Sequence, residues 1–299
     1  MTTLLAFLAF ISTPTVQQPL YRFVAFGDGR GHSALDTDMS IQKQVIAGMV
    51  AAHPKFIVQS GDLVYDSSIQ ALWDQFDATM QPVWDAHIPY YPAEGNHDNT
   101  GASLYHEYLR KRIMKTWGKV HKSDVPQRYS VDEGPLRFEM IDTEEPVTPG
   151  SKQYKWIDKE LTDADAHHLN SIPVFHITIH SIGNHGTDKK KQDALEPLFR
   201  KHHVPLVIMG HDHIYYRTQR YGIVYVTTGG GGAPLYDLHA GRDPRAADDP
   251  ADPNWPDVSQ KAYHYCVCDV FPDHIDISVQ GVHWDGPNPI DVFTVPLSR

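Results

Sequence analysis

Lys55-Phe56-Ile57-Val58-Gln59-Ser60-Gly61-Asp62-Leu63-Val64-Tyr65 decides the architecture, because a short apolar run closes on a glycine and an acid. An apolar run of that length, bounded by turn residues, reads as a strand buried on both faces, with Asp62 leaving its carboxyl end. The same unit recurs along the chain. Tyr21 to Phe26 leads into Gly27-Asp28-Gly29-Arg30, and Ile88 to Pro92 into Gly95-Asn96-His97-Asp98. Val174 to Ile179 leads into His180, and Pro205 to Met209 into Gly210-His211-Asp212-His213. Ligands in α/β folds collect beyond the carboxyl ends of the strands, so these polar residues are expected to share one crevice.

Between the first two units, Met39 to Ala52 is apolar at Met39, Ile41, Val45, Ile46, Met49 and Val50, a spacing that predicts an amphipathic helix packed on a sheet. Asp28, Asp62 and Asn96 recur at one interval, close to a βαβ unit of roughly 30 residues or more. Arg128 to Val131 and Leu136 to Ile141 read as a hairpin through Glu133-Gly134, followed by a helix over Lys152 to Leu161. Tyr221 to Thr227, Tyr263 to Val270 and His274 to Val279 read as later strands that add a further β layer. The predicted fold class is α/β in layers (α+β): a central β-sandwich of two mixed sheets flanked by helices, with the site at the strand carboxyl ends. Residues 19–299 are expected to form one domain. Residues 237–259, rich in Pro, Asp, Ala and Arg, are expected to form a long irregular loop on one wall of the pocket.

The balance of 26 Lys and Arg against 37 Asp and Glu gives a formal charge of -11, which argues against a nucleic-acid groove built on phosphate neutralisation. An anionic substrate then needs a local positive centre, which bound metal ions supply. Cys266 and Cys268, one residue apart on a strand, point to the same face and read as structural, with a strained bond or an extra metal site as alternatives. Residues 1–18 carry an apolar run from Leu4 to Ile11 before Ser12-Thr13-Pro14. This reads as a secretory leader, with secreted or periplasmic placement, or as a frayed terminus in a cytoplasmic chain. No run is long enough to span a bilayer, and the sequence leaves oligomeric state open.

An acid placed directly after a buried strand projects a hard oxygen donor, and Asp28 and Asp62 both meet that condition. Asp62 is the expected bridge between two ions about 3.5 to 4 Å apart. On residues alone, Tyr65 reads as a half-buried aromatic beside the strand. Asn96 offers an amide oxygen, and His97 an imidazole for bound phosphate. His180, His211 and His213 supply nitrogen donors from two further strand ends. Among the 19 histidines, His167, His168, His202 and His203 read as surface residues.

Taken together, Gly-Asp, Gly-Asp, Gly-Asn-His-Asp, His and Gly-His-x-His resemble, in order, the calcineurin-like metallophosphoesterase superfamily over roughly Tyr21 to Val279. Most of that superfamily carries Asp-x-His first, whereas this chain has Arg30. Gly61-Asp62-Leu63-Val64-Tyr65 resembles the Gly-Asp-x-x-Tyr motif of the purple acid phosphatase branch, which makes Tyr65 an expected ligand. The resemblance implies one metal on Asp28, Asp62, Tyr65 and His213, and a second on Asp62, Asn96, His180 and His211. It implies Fe(III) at the Tyr65 site and Zn, Mn or Fe(II) at the other. It further implies attack on phosphorus by a hydroxide held on the two metals, with His97 and Asp62 in catalytic roles. Arg30 and His185 are candidate phosphate contacts beside His97. The expected function is hydrolysis of a small phosphoric monoester. A phosphodiesterase acting on nucleotides or lipid head groups is the alternative, and a non-catalytic metal-binding scaffold the third reading.

Overall fold

The computed structural model describes residues 17–36, 38–117 and 127–298, so the expected leader lies, apart from Gln17 and Gln18, outside the described residues. In chain order the strands are β1 (Tyr21–Phe26), β2 (Phe56–Gln59), β3 (Tyr90–Pro92), β4 (Tyr129–Glu133), β5 (Leu136–Ile141), β6 (Asn170–Phe175) and β7 (Leu206–Met209). β8 (Tyr215–Arg220), β9 (Ile223–Thr228), β10 (Val258–Gln260), β11 (Tyr263–Val270), β12 (His274–Val282) and β13 (Asp291–Pro296) complete the set. They form a six-stranded sheet in the order β13-β12-β11-β1-β2-β3 and a seven-stranded sheet in the order β10-β8-β9-β7-β6-β5-β4. Each sheet is mixed, with β1, β2 and β3 parallel in the first and β5, β6, β7 and β9 parallel in the second.

Residue alternation explains the layers. In β1, Phe23 and Ala25 face the opposite sheet while Val24 and Phe26 face the helices. The inner layer is an aromatic nucleus in which Phe23 stacks on Phe56 at 5.5 Å and Phe138 meets both edge-on at 5.1 and 5.3 Å. Burial of each such ring is worth roughly 1.5–3 kcal/mol. Cys266 and Cys268, in register with Ala25 and Phe23, join this layer as free buried thiols, and burial pushes Cys266 up to about 12. The structural reading of the pair is the one the fold supports.

Helices α1 (Ser40–Ala51), α2 (Gln70–Thr79), α3 (Gln81–Asp85) and α4 (Ala102–Tyr108) cover the outer face of the first sheet. On α1 the buried residues are Gln42, Val45, Ile46 and Met49, the stripe that the apolar spacing predicts. Helices α5 (Lys152–Ala166) and α6 (Lys189–Lys201) cover the second sheet through Trp156, Leu161, Leu195 and Phe199. Ser151 Oγ caps α5 by accepting from Tyr154 N, and Asp188 caps α6 by accepting from Lys191 N. Among the described residues no helix is long and apolar enough to cross a membrane.

Two differences from the sequence expectation lie around the site. Residues 237–257 are irregular as expected, but β10 begins at Val258. β6 begins at Asn170 and stops at Phe175, four residues short of Ile179. Beyond Phe175 the backbone donors leave the ladder: Ile177 N donates to Thr143 Oγ1 at 3.0 Å and Ile179 N to Met209 Sδ at 3.4 Å. The residue that closes the strand is therefore His176.

Candidate metal centre

All five strand ends converge between the two sheets. The turns after β1, β2 and β7 put Asp28, Asp62 and His211 at φ 56°, 56° and 68°, a left-handed conformation that costs non-glycine residues on the order of 1–3 kcal/mol each. The approach is close enough to require glycine. A Cβ on Gly95 would lie 2.3 Å from Asp62 Oδ1. Gln42, buried on α1, ties the first motif to the glycine run by donating to Arg30 O at 2.9 Å and Gly232 O at 3.2 Å.

At the first position, Asp28, Asp62 and His213 are all buried and offer ligand atoms within 4.8 Å of one another. His213 Nδ1 donates to Pro234 O at 2.6 Å, which leaves Nε2 as an acceptor 3.3 Å from Asp28 Oδ1. Asp28 Oδ2 accepts from His211 N at 2.9 Å, while buried Oδ1 has no hydrogen-bond donor. Arg30 reaches into the same place: Nε lies 3.2 Å from Asp62 Oδ2, Nη2 3.5 Å from His213 Nε2, and the guanidinium 5.3 Å from the Tyr65 ring centroid. Tyr65 also packs 5.1 Å from the His97 ring.

At the second position the histidine is His176 and not His180. His176 is fully buried, and its Nδ1 donates to Ser60 O at 2.9 Å. Its Nε2 then faces Asn96 Oδ1 at 3.0 Å, Asp62 Oδ1 at 3.2 Å and His211 Nδ1 at 3.2 Å. His180, four residues on, points elsewhere: Nδ1 bonds Asp243 at 3.0 Å, Nε2 bonds Glu196 at 2.9 Å, and the ring packs on Tyr225. Both its nitrogens are spent in a buried ion cluster completed by Arg220, which lies 2.6 Å from Asp243. The expectation of His180 as a ligand is corrected on that ground.

His176 Nε2, Asn96 Oδ1 and Asp62 Oδ1 thus converge in a buried space, an arrangement that a proton on His176 or a metal ion between the three would hold together. Burial would raise the Asp62 carboxyl, but His176, His97 and Arg30 together hold it below the usual carboxylate range. Burial, then the neighbouring His176, His185 and His213, keeps His211 neutral by lowering its pKa far below the ordinary value. Carboxylates and an amide oxygen beside imidazoles make a mixed oxygen and nitrogen donor set of the kind a transition metal takes. The residues fit two ions.

His97 lies half-buried at the rim, its amide donating to Asp62 Oδ1 at 3.1 Å and its Nε2 3.9 Å from Asp62 Oδ2. His185 is exposed and stacks on His211 with centroids 4.0 Å apart. Sequence reasoning gave no role to three residues that hold the site together. Asp98 is fully buried and accepts from Leu63 N at 2.9 Å and Gly95 N at 3.0 Å, joining the second and third motifs. Asp212 accepts from Ser181 Oγ, His185 N and Gly186 N at 2.6, 2.8 and 3.0 Å. Tyr236 stacks on His213 at 4.0 Å. The signal for both acids was their place inside the motifs, and for Tyr236 the glycine run before it.

The calcineurin-like phosphoesterase family model matches residues 22–215, and the chain belongs to that family. Membership supports metal-dependent phosphoester hydrolysis as the class of chemistry. Within it the chain is similar to purple acid phosphatases: it is 28% identical over 243 residues to tartrate-resistant acid phosphatase type 5 of Oryctolagus cuniculus, covering 71% of this chain and 73% of that protein. It is 26% identical to a nucleotide pyrophosphatase/phosphodiesterase of Hordeum vulgare, spanning 58% of this chain and 56% of that protein. It is also 26% identical to the probable inactive purple acid phosphatase 27 of Arabidopsis thaliana, of which it spans only 37%. The purple acid phosphatase PPD1 from yellow lupin seeds shares the fold with a TM-score of 0.72 at 21% identity, over 93% of this chain and 54% of that one.

Proposed function

We propose that residues 19–299 form one catalytic unit that hydrolyses small phosphoric monoesters. Asp28, Asp62, Tyr65 and His213 would hold one metal, and Asp62, Asn96, His176 and His211 the other. The observation that carries this reading is the convergence of acceptor atoms from five strand ends, with Asp28 Oδ1 buried and lacking a donor. Two bound ions would supply a water of lowered pKa and positive charge opposite the phosphoryl oxygens.

The chain's own residues supply the rest. Asp62 faces both ligand groups and would be shared between them. His97 stands at the rim, where it can bond a phosphoryl oxygen or give a proton to the leaving oxygen. Arg30 brings a fixed positive charge beside Asp62 and Tyr65, and His185 offers its imidazole on the opposite side over His211. Arg30 favours a monoester, since a third fixed cation suits a dianionic group more than a singly charged diester.

Metal analysis by mass spectrometry with a visible absorption spectrum tests the centre. About two metals per chain including iron, with a broad visible band, is the expected result and fits Tyr65 on Fe(III). A colourless protein with two Zn or Mn ions would remove Tyr65 from the ligand set. Turnover of the monoester and diester of one chromophore tests the substrate class, and preference for the diester would overturn it.

A further inference from the structure

The seven-residue loop from Ser181 to Thr187, which carries His185, is gripped from two sides. On the inner side Asp212 takes the amides of His185 and Gly186 and the Ser181 hydroxyl. On the outer side lies the segment after the glycine run. His239 N donates to Ile182 O at 2.7 Å, and the Arg242 guanidinium donates to Gly183 O at 3.0 Å and to Asn184 O. Asp243 then accepts from Thr187 Oγ1 at 3.1 Å and is anchored by Arg220 and His180. The same segment reaches the centre through Tyr236, whose ring stacks on His213 and meets His185 edge-on at 5.4 Å.

The two grips do different work. Asp212 fixes amides on one side of the loop, while the consecutive carbonyls of Gly183 and Asn184 are held by Arg242. The loop contains Gly183 and Gly186, the latter at φ 70°, so it has little stiffness of its own. Arg242 is itself exposed, and its stem runs along Gly186 with Cδ 3.6 Å from where a Cβ would stand. It contributes contacts to this loop and not to the core.

We propose that Arg242 is a positioning residue for phosphate recognition: by holding two successive carbonyls it keeps His185 stacked on His211 and aimed at the phosphoryl group. The inference rests on the reading of His185 as a phosphate contact given above. An imidazole displaced by about 1 Å loses its hydrogen bond, and misplacements of that size are able to cost up to about a hundredfold. Because Asp212 still holds the His185 amide, Arg242→Ala should cost less, about tenfold in kcat/KM.

The experiment is a double-mutant cycle on the metal-loaded protein with Arg242→Ala, His185→Ala and both together. It is read by 4-nitrophenyl phosphate turnover and by calorimetric binding of inorganic phosphate. The expected result is a loss of about tenfold in kcat/KM and phosphate affinity for Arg242→Ala, with two metals retained. No further loss is expected when Arg242→Ala is added to His185→Ala, and Arg242→Lys should restore most of the loss. An unchanged Arg242→Ala protein, or losses that multiply in the double variant, would overturn the proposal. A parent protein that binds phosphate but turns over no ester would sink the hydrolase reading alone, and the binding cycle would still decide the role of Arg242.

Discussion

Replacing His176 and His180 separately should have opposite consequences, although the two lie in one turn of sequence. His176→Ala removes a nitrogen that faces Asn96, Asp62 and His211 within 3.0–3.2 Å. Losing a partner of a ligand weakens metal affinity by about 10–100-fold, so losing a ligand itself should weaken the second site by at least about a hundredfold. His180→Gln leaves that site intact and breaks the imidazole bonds to Asp243 and Glu196. Each charge-assisted bond is worth roughly 1.5–3 kcal/mol, but Glu196 is partly exposed and Asp243 keeps Arg220. A net cost of about 3 kcal/mol follows, and in a chain of 299 residues it lowers Tm by about 5 °C. The assay is metal content after dialysis against a metal buffer, with calorimetric melting in chelator. Two metals on the His176 variant and one on the His180 variant would refute the assignment of the second site.

Asp62→Asn should leave fewer than two metals bound and cut turnover by at least about a hundredfold, as seen by metal analysis and steady-state kinetics; full activity would remove Asp62 from the centre. Asp212→Ala strands three donors in a buried space and should cost about 3–5 kcal/mol, read as a lower urea midpoint. Arg30→Met should lower monoester turnover more than diester turnover on one chromophore, and equal losses would remove Arg30 from substrate recognition. The His180 cluster should also make stability depend on pH. Burial opposes the charge on His180, but Asp243 and Glu196 raise its pKa above 6.5, so its contribution is complete below 6.5 and fades as pH rises through the folded value. Burial likewise opposes ionisation of Asp243, yet His180 and Arg220 hold it below 3.8, so its share is present above 3.8 and fades as pH falls through the folded value. Melting in chelator should therefore show the cluster strongest between pH 3.8 and 6.5, and His180→Gln should lose more stability at pH 5.5 than at pH 8.5.

What the chain reveals locally and what it hides follow from how far each contact reaches. Asp28, Asp62, Asn96, His211 and His213 were legible because each needs placing only against its own strand end, and a short apolar run followed by glycine marks that end within a few residues. The layered sheets were legible for the same reason, since Phe23 and Val24 announce opposite faces by alternation alone. Choosing between His176 and His180 was not a local question. In Val174-Phe175-His176-Ile177-Thr178-Ile179-His180 the apolar alternation continues past the end of β6, because Ile179 is buried against the residues of α5 and α6. The ladder stops where Thr143 and Met209 capture the next amides, and both lie about 30 residues away in sequence. Residues 237–257 pose the same difficulty in reverse. Their Pro, Asp and Arg content reads as an unconstrained loop, yet Asp243 and Asp257 are tied to Arg220 and Thr218 on β8, and Arg242 to the loop of His185. Composition sees charges that prefer water. Only the fold supplies the opposite charges that hold them, so the segment that braces the His185 loop is the part a single sequence conceals most.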